Sequence, residues 1–221
     1  MRGAGNPAPQ ENLVKGAGAT RAWQRMLSGR RLDLLDPSAL DIEIEDIAHG
    51  LARTARWNGQ TKGEHIYSVA QHTLLVEALL LAEHPDASAR LRLAALLHDA
   101  AEYVIGDLIS PFKAMLSRDY REAEARILAA VHLRFGLPAE LPPANEAEIK
   151  RADQAAAFLE AVNLAGFSVA EATRYFPRPN SARHVDAALL TPWPAAAVTE
   201  RFLARFREIS GKVQKPRTTS P

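Results

Sequence analysis

The chain has 221 residues, 47% apolar and 24% charged, with a formal net charge of +1. That supports one sizeable core and excludes general disorder, and without a basic stripe or aromatic platform it gives no case for a nucleic-acid partner. With no cysteine at all, disulfides, thiolate metal sites and cysteine nucleophiles are excluded. The most apolar stretch, Thr73 to Ala82, is broken by Glu77 and too short for a bilayer, and the basic N-terminus lacks an apolar signal region. A cytoplasmic protein with no membrane partner is expected.

Abundant Ala and Leu with only 6% aromatics favour helices. Residues 1–18, rich in Gly, Pro and Ala, read as a flexible leader, and residues 19–210 as one helical domain. Ala19 to Leu27 fits a short helix carrying Trp23 and Met26. Gly29 to Pro37 reads as a turn or at most a two-stranded hairpin. From Ile42 to Ala55 the apolar residues Ile44, Ile47, Ala48 and Leu51 recur at helical spacing, with Glu43, Glu45 and Asp46 at the positive end of the dipole. Asn58-Gly59 and Gly63 mark turns.

Ser68 is a good N-cap for a helix whose stripe runs Val69, His72, Thr73, Val76, Leu79 and Leu80. Pro85 ends it, and Asp86 or Ser88 caps the next, an apolar central helix from Arg90 to Val104. On one continuous helix His98 and Glu102 (i, i+4) and Asp99 and Glu102 (i, i+3) share a side. Gly106 and Pro111 frame a loop. Asp119 to Phe135 is helical, stopped by Gly136. Asn145, with Glu148 at the capping-box position, caps a helix from Glu146 to Leu164, on which Ile149, Ala152, Asp153, Ala156 and Leu159 share a face. A short helix lies within Phe167 to Tyr175. The last runs from Ala195 to Ile209 with Val198, Phe202, Phe206 and Ile209 inward. Residues 211–221 read as a disordered tail.

Four ionisable residues fall on or near inward faces of three helices: His72, the pair His98-Asp99, and Asp153. A lone histidine on an apolar stripe is usually a satisfied core residue, and a lone aspartate a solvated one. As a set they suit a divalent ion such as Mn, Fe, Co, Ni or Zn. An apolar helix does not otherwise bury such groups without compensation.

These residues also carry a family resemblance. Tyr67-Ser68-Val69-Ala70-Gln71-His72, then Leu97-His98-Asp99-Ala100-Ala101-Glu102, then Lys150-Arg151-Ala152-Asp153 resemble the His, His-Asp, Asp pattern of the HD-domain metal-dependent phosphohydrolases. The run Glu102, Gly106-Asp107 and Pro111-Phe112-Lys113 is similar to that of 5'-deoxynucleotidase-like proteins and phage deoxynucleoside triphosphohydrolases. Arg56-Trp57 fits their arginine and aromatic before the first histidine. The resemblance spans roughly Arg30 to Leu164. It departs at Gln71, where relatives commonly have glutamate.

The resemblance implies an all-α HD-domain bundle of about six to eight helices and an ion held by His72, His98, Asp99 and Asp153. Glu102 would orient the attacking water or help hold a second ion such as Mg or Mn. Asp107 would aid that ion or protonate the leaving oxygen. Arg56 is the candidate to grip phosphate, with Lys113 and Lys62 as further cations and Trp57 as a stacking or sugar-reading residue. The expected partner is a small-molecule nucleotide, and alanine-rich helix faces would suit a homodimer. Mono- and triphosphate substrates are not separated by these residues. A phosphodiesterase, a guanosine-tetraphosphate hydrolase and a non-catalytic nucleotide-binding module remain alternatives.

Overall fold

A computed structural model describes residues 22–113, 115–116, 118–179 and 185–213. The expected leader lies outside the described residues. So does the tail beyond Val213. The elements are β1 (Trp23–Arg25), β2 (Arg31–Asp33), α1 (Ile44–Leu51), α2 (Val69–Glu83), α3 (Ala89–Leu96), α4 (Glu102–Ile105), α5 (Ser110–Lys113), α6 (Arg118–Arg134), α7 (Pro143–Asn163), α8 (Val169–Tyr175) and α9 (Ala195–Val213). Among the described residues seven helices have seven residues or more, and α4 and α5 are single turns. The fold is a helical bundle with one small antiparallel hairpin. No helix among the described residues is long and apolar enough to cross a membrane.

The centre of the bundle is α2, packed on α3, α7 and α9. Its start follows from the sequence: the Ser68 hydroxyl accepts the Gln71 N–H, the cap geometry that serine favours. Nearly every side of α2 is buried, including Leu75, Val76 and Leu79. Glu77, which interrupts the apolar run, is 1% exposed and bonds Arg92 on α3 at 2.7 Å and Arg205 on α9 at 2.8 Å. Removing one member of such a buried set leaves uncompensated charge, at a cost of about 3 kcal/mol or more. The predicted inner face of α9 holds: Val198, Phe202, Phe206 and Ile209 are all buried. Each contributes about 2 kcal/mol of apolar burial.

Four expectations change. The segment expected as a helix from Ala19 to Leu27 instead contains β1. Gly29 adopts φ +88°, the chain reverses, and Trp23–Arg25 pairs with Arg31–Asp33. The Arg31 guanidinium lies 4.5 Å over the Trp23 ring, and Met26 and Leu32 bury against the core. The helix expected from Arg90 to Val104 stops at Leu96. His98 Nδ1 donates to the Ala95 carbonyl at 2.8 Å, the acceptor that a continuing helix gives to the Asp99 N–H. Residues 97–101 form a turn before α4, so His98, Asp99 and Glu102 do not share a helix face. The cap of α7 is Pro142, not Asn145, and Pro143 occupies the first helical position, where its missing N–H costs nothing. Finally α9 continues through Gly211 to Val213, past the expected start of the tail.

Gly50 on α1 allows α4 to approach closely. A Cβ there would lie 2.8 Å from the Tyr103 carbonyl oxygen and 2.9 Å from its Cβ. The glycine that weakens α1 as a helix thus seats the turn that carries Glu102.

Candidate metal centre

His72 comes from the first turn of α2, His98 and Asp99 from the turn after α3, and Asp153 from α7. His72 Nε2 lies 3.3 Å from Asp153 Oδ1 and 3.5 Å from Asp99 Oδ2, and His98 Nε2 lies 3.3 Å from the same Asp99 oxygen. Ligand atoms of His72, His98 and Asp153 all fall within 4.8 Å of one another. The two rings are 5.4 Å apart between centroids.

Both Nδ1 atoms are occupied: His98 Nδ1 by the Ala95 carbonyl, His72 Nδ1 by Glu160 Oε1 at 2.5 Å. Both Nε2 atoms are buried and have no hydrogen-bond partner. That is the arrangement a metal-ligating imidazole takes, one nitrogen fixed and the other free. Donors about 2.1 Å from one ion sit about 3.0–3.4 Å from each other, close to the separations observed here. The residues present therefore fit a divalent ion.

The local charge points the same way. Five carboxylates (Asp99, Glu102, Asp107, Asp153, Glu160) face three basic side chains, Arg56, Lys113 and Lys150, the last lying 2.6 Å from Asp153 Oδ2. Burial opposes ionisation of Asp99 and Asp153, but the imidazoles of His98 and His72 hold both well below the usual carboxylate range. Burial and Arg56 disfavour the His72 imidazolium, but Glu160 and Asp153 outweigh them and push its pKa up to about 10. Glu102 is 2% exposed. Burial, then Asp99 and Asp107, push it up to about 8 despite Lys113 Nζ at 2.9 Å. Its second oxygen is buried and unpartnered. Burial also raises Asp107, against the pull of Arg56.

Arg56 reaches the cluster because residues 54–56 run beside the start of α2. Its N–H donates to the Tyr67 carbonyl at 2.8 Å, and Val69 N–H donates to the Thr54 carbonyl at 2.9 Å. The guanidinium bonds Glu160 through Nε and Nη2, each at 3.4 Å, and Asp107 through Nη1 at 3.3 Å. Trp57 and Asn58 follow with φ of +56° and +50°, a conformation costing about 1–2 kcal/mol per non-glycine residue. The Trp57 indole N–H donates to Glu160 at 2.9 Å, and its ring packs on Phe167 and Phe176 at 5.8 and 6.0 Å. These contacts hold the strained turn.

Lys113 bridges Glu102 and Glu124. Lys62 is exposed, and its backbone N–H donates to the Leu164 carbonyl at 3.0 Å; among the described residues no hydrogen bond or ion pair ties its side chain to the cluster. Glu160 escaped the sequence reading although it is fully buried and binds His72, Arg56 and Trp57. Its signal was available: it follows Asp153 by seven residues and Ala156 by four, so it lies on the same inward face. Gln71 does not face His72. Its amide donates to the Leu189 and Thr191 carbonyls at 3.0 and 2.7 Å and accepts from the Trp193 N–H at 3.1 Å. It anchors the segment before α9.

A family model for YfbR-like 5'-deoxynucleotidases matches residues 50–166, the stretch holding Arg56, His72, His98, Asp99, Glu102, Asp107, Asp153 and Glu160. An uncharacterized protein of Rhodobacter capsulatus is 58% identical over 194 residues, covering 86% of this chain and 99% of that protein. The uncharacterized protein YfdR of Escherichia coli K12 is 36% identical over 113 residues, 51% of this chain and 56% of its own length.

Proposed function

We propose, for a chain that belongs to the YfbR-like 5'-deoxynucleotidase family, a metal-dependent phosphohydrolase that cleaves the phosphoester of a (deoxy)nucleoside 5'-phosphate, with the cytoplasm as its compartment. The observation that carries this reading is the pair of buried, partnerless Nε2 atoms of His72 and His98 beside Asp99 and Asp153. An ion of the Mn, Fe, Co, Ni or Zn type held by those four residues would lower the pKa of a bound water and offset charge on a phosphate oxygen.

The remaining roles belong to the chain itself. Arg56 spends three N–H groups on Glu160 and Asp107. The rest of its fork is left for phosphate oxygens. Glu102, held through one oxygen by Lys113, has its free oxygen to orient the attacking water and take its proton. Asp107, with its raised pKa, is the group suited to hold a proton for the leaving 5'-oxygen. Lys113 acts by positioning Glu102, and Trp57 by locking the Arg56 turn.

The test is a product-resolved hydrolysis screen. The stripped protein is reloaded separately with Mn, Co, Ni, Fe(II), Zn and Mg and offered deoxy- and ribonucleoside mono- and triphosphates. Inorganic phosphate released from deoxynucleoside 5'-monophosphates is the expected result. Turnover confined to triphosphates would shift the substrate to that class, and no turnover with any metal would contradict the reading.

A further inference from the structure

Two oxygens on the α4 side of the metal cluster are buried and have no hydrogen-bond partner among the described residues: Glu102 Oε2 and the Tyr120 hydroxyl. The first takes the attacking water in the proposed reaction. The second has no part in it.

Tyr120 stands in the first turn of α6 and is half-buried. Glu124 follows one helical turn later, so the two side chains share one side of α6. Lys113 Nζ joins that side to the site: it lies 3.2 Å from Glu124 Oε1 and 2.9 Å from Glu102 Oε1. The same lysine thus ties the face of α6 that carries Tyr120 to the turn that carries Glu102. Burial, with the charges of Glu124, Glu102 and Asp107, raises the pKa of the phenol against the pull of Lys113. Tyr120 therefore keeps its proton at physiological pH.

A phenol is both donor and acceptor, whereas an ionised carboxylate only accepts. The two oxygens are not bonded to each other, and a buried hydroxyl left unpaired is unfavourable. One water between them satisfies both, giving one O–H to Glu102 and the other to Tyr120. A water held by Glu102 alone can swing about a single hydrogen bond. Held by both O–H groups, it has only its lone pairs left to present, and the direction of attack is set.

We propose that Tyr120 is a further catalytic residue, whose hydroxyl accepts the second O–H of the attacking water that Glu102 holds by the first. The role rests on the phosphohydrolase reading. In the step, the water oxygen bonds to phosphorus and one proton passes to Glu102. The bond from phosphorus to the 5'-oxygen breaks, and that oxygen takes the proton of Asp107. The second hydrogen of the water stays on the phosphate formed, and Tyr120 keeps its own.

The test compares the Mn-loaded full chain with Tyr120→Phe, which removes the hydroxyl and keeps the ring. Hydrolysis of 5'-dAMP gives kcat and KM, metal content is measured alongside, and crystal structures locate the water. In Tyr120→Phe, kcat should fall about tenfold or more with KM within about twofold of the wild type. Metal content and the Lys113 bridge should be unchanged. The wild type should hold an ordered water within hydrogen-bond reach of both oxygens, and the variant should not. A wild-type kcat in the variant would overturn the role. So would a rise in KM alone, which would mark a hydroxyl that binds phosphate, and so would loss of the ion. Should the variant fail to fold, the wild-type structure decides: hydrolysis without a shared water overturns the role of Tyr120 and leaves the phosphohydrolase reading standing. A shared water with no hydrolysis would overturn the phosphohydrolase reading and the role with it, leaving a structural water.

Discussion

Nδ1 of His72 and Oε1 of Glu160 lie 2.5 Å apart, and both side chains are completely buried. The carboxylate fixes the ring so that Nε2 faces Asp99 and Asp153. It is held near a pKa of about 2: burial works against ionisation, but His72 and Arg56 outweigh it.

Glu160→Gln should therefore weaken metal binding about 10–100-fold while leaving all four proposed ligands in place. A chelator-competition titration measures this. An affinity equal to that of the wild type would show that Glu160 serves only Arg56 and Trp57.

Gln71→Glu places a carboxylate beside His72 in sequence, yet it should not improve metal affinity. Gln71 gives two N–H bonds to carbonyls, and a carboxylate would face those oxygens instead. The expected outcome is a loss of about 1–3 kcal/mol, read by chemical denaturation. A stabilised protein with tighter metal binding would contradict this.

The pH dependence of metal loading follows from His72. Its folded pKa is raised to about 10, so the imidazolium stabilises the metal-free fold fully below the unfolded value of about 6.5. That stabilisation fades as pH rises through the folded pKa. An ion must displace the proton. Loading near pH 7.5 should release about one proton, and affinity should rise about tenfold per pH unit from roughly pH 7 to 9. Calorimetry in buffers of different ionisation enthalpy reads the proton count; heat independent of buffer would refute the competition.

Gly50→Ala tests the seat of Glu102. The added methyl meets the Tyr103 backbone, and relief requires α1 and α4 to separate. A stability loss of about 1–3 kcal/mol is expected. With Glu102 displaced, kcat should fall more than KM changes. An alanine variant with wild-type stability would mean that α4 moves freely.

Local signals were legible where one residue decides the outcome. The Ser68 hydroxyl starts α2, Ser88 caps α3, and the Phe202–Phe206 stripe sets α9. The cluster of His72, His98, Asp99 and Asp153 was readable because each sits near an inward apolar face. The break after Leu96 was hidden, since it depends on the His98 ring taking a backbone carbonyl in place of an amide. Helical periodicity places Glu160 on the inward face of α7, but it does not report the partners that give Glu160 its role, which lie 88 and 104 residues away in sequence. The β1–β2 pairing likewise rests on a glycine conformation and an arginine–tryptophan stack that composition does not report. Lys62 is exposed, and charge without a packing constraint does not fix where a long side chain goes.

Metal content per chain tests most directly whether His72, His98, Asp99 and Asp153 together hold a divalent ion. Mass-spectrometric metal analysis of the purified wild type should give one transition-metal ion per chain. His98→Gln and Asp153→Asn, checked for an intact fold by circular dichroism, should lose it. Full metal content in both folded variants would contradict the assignment.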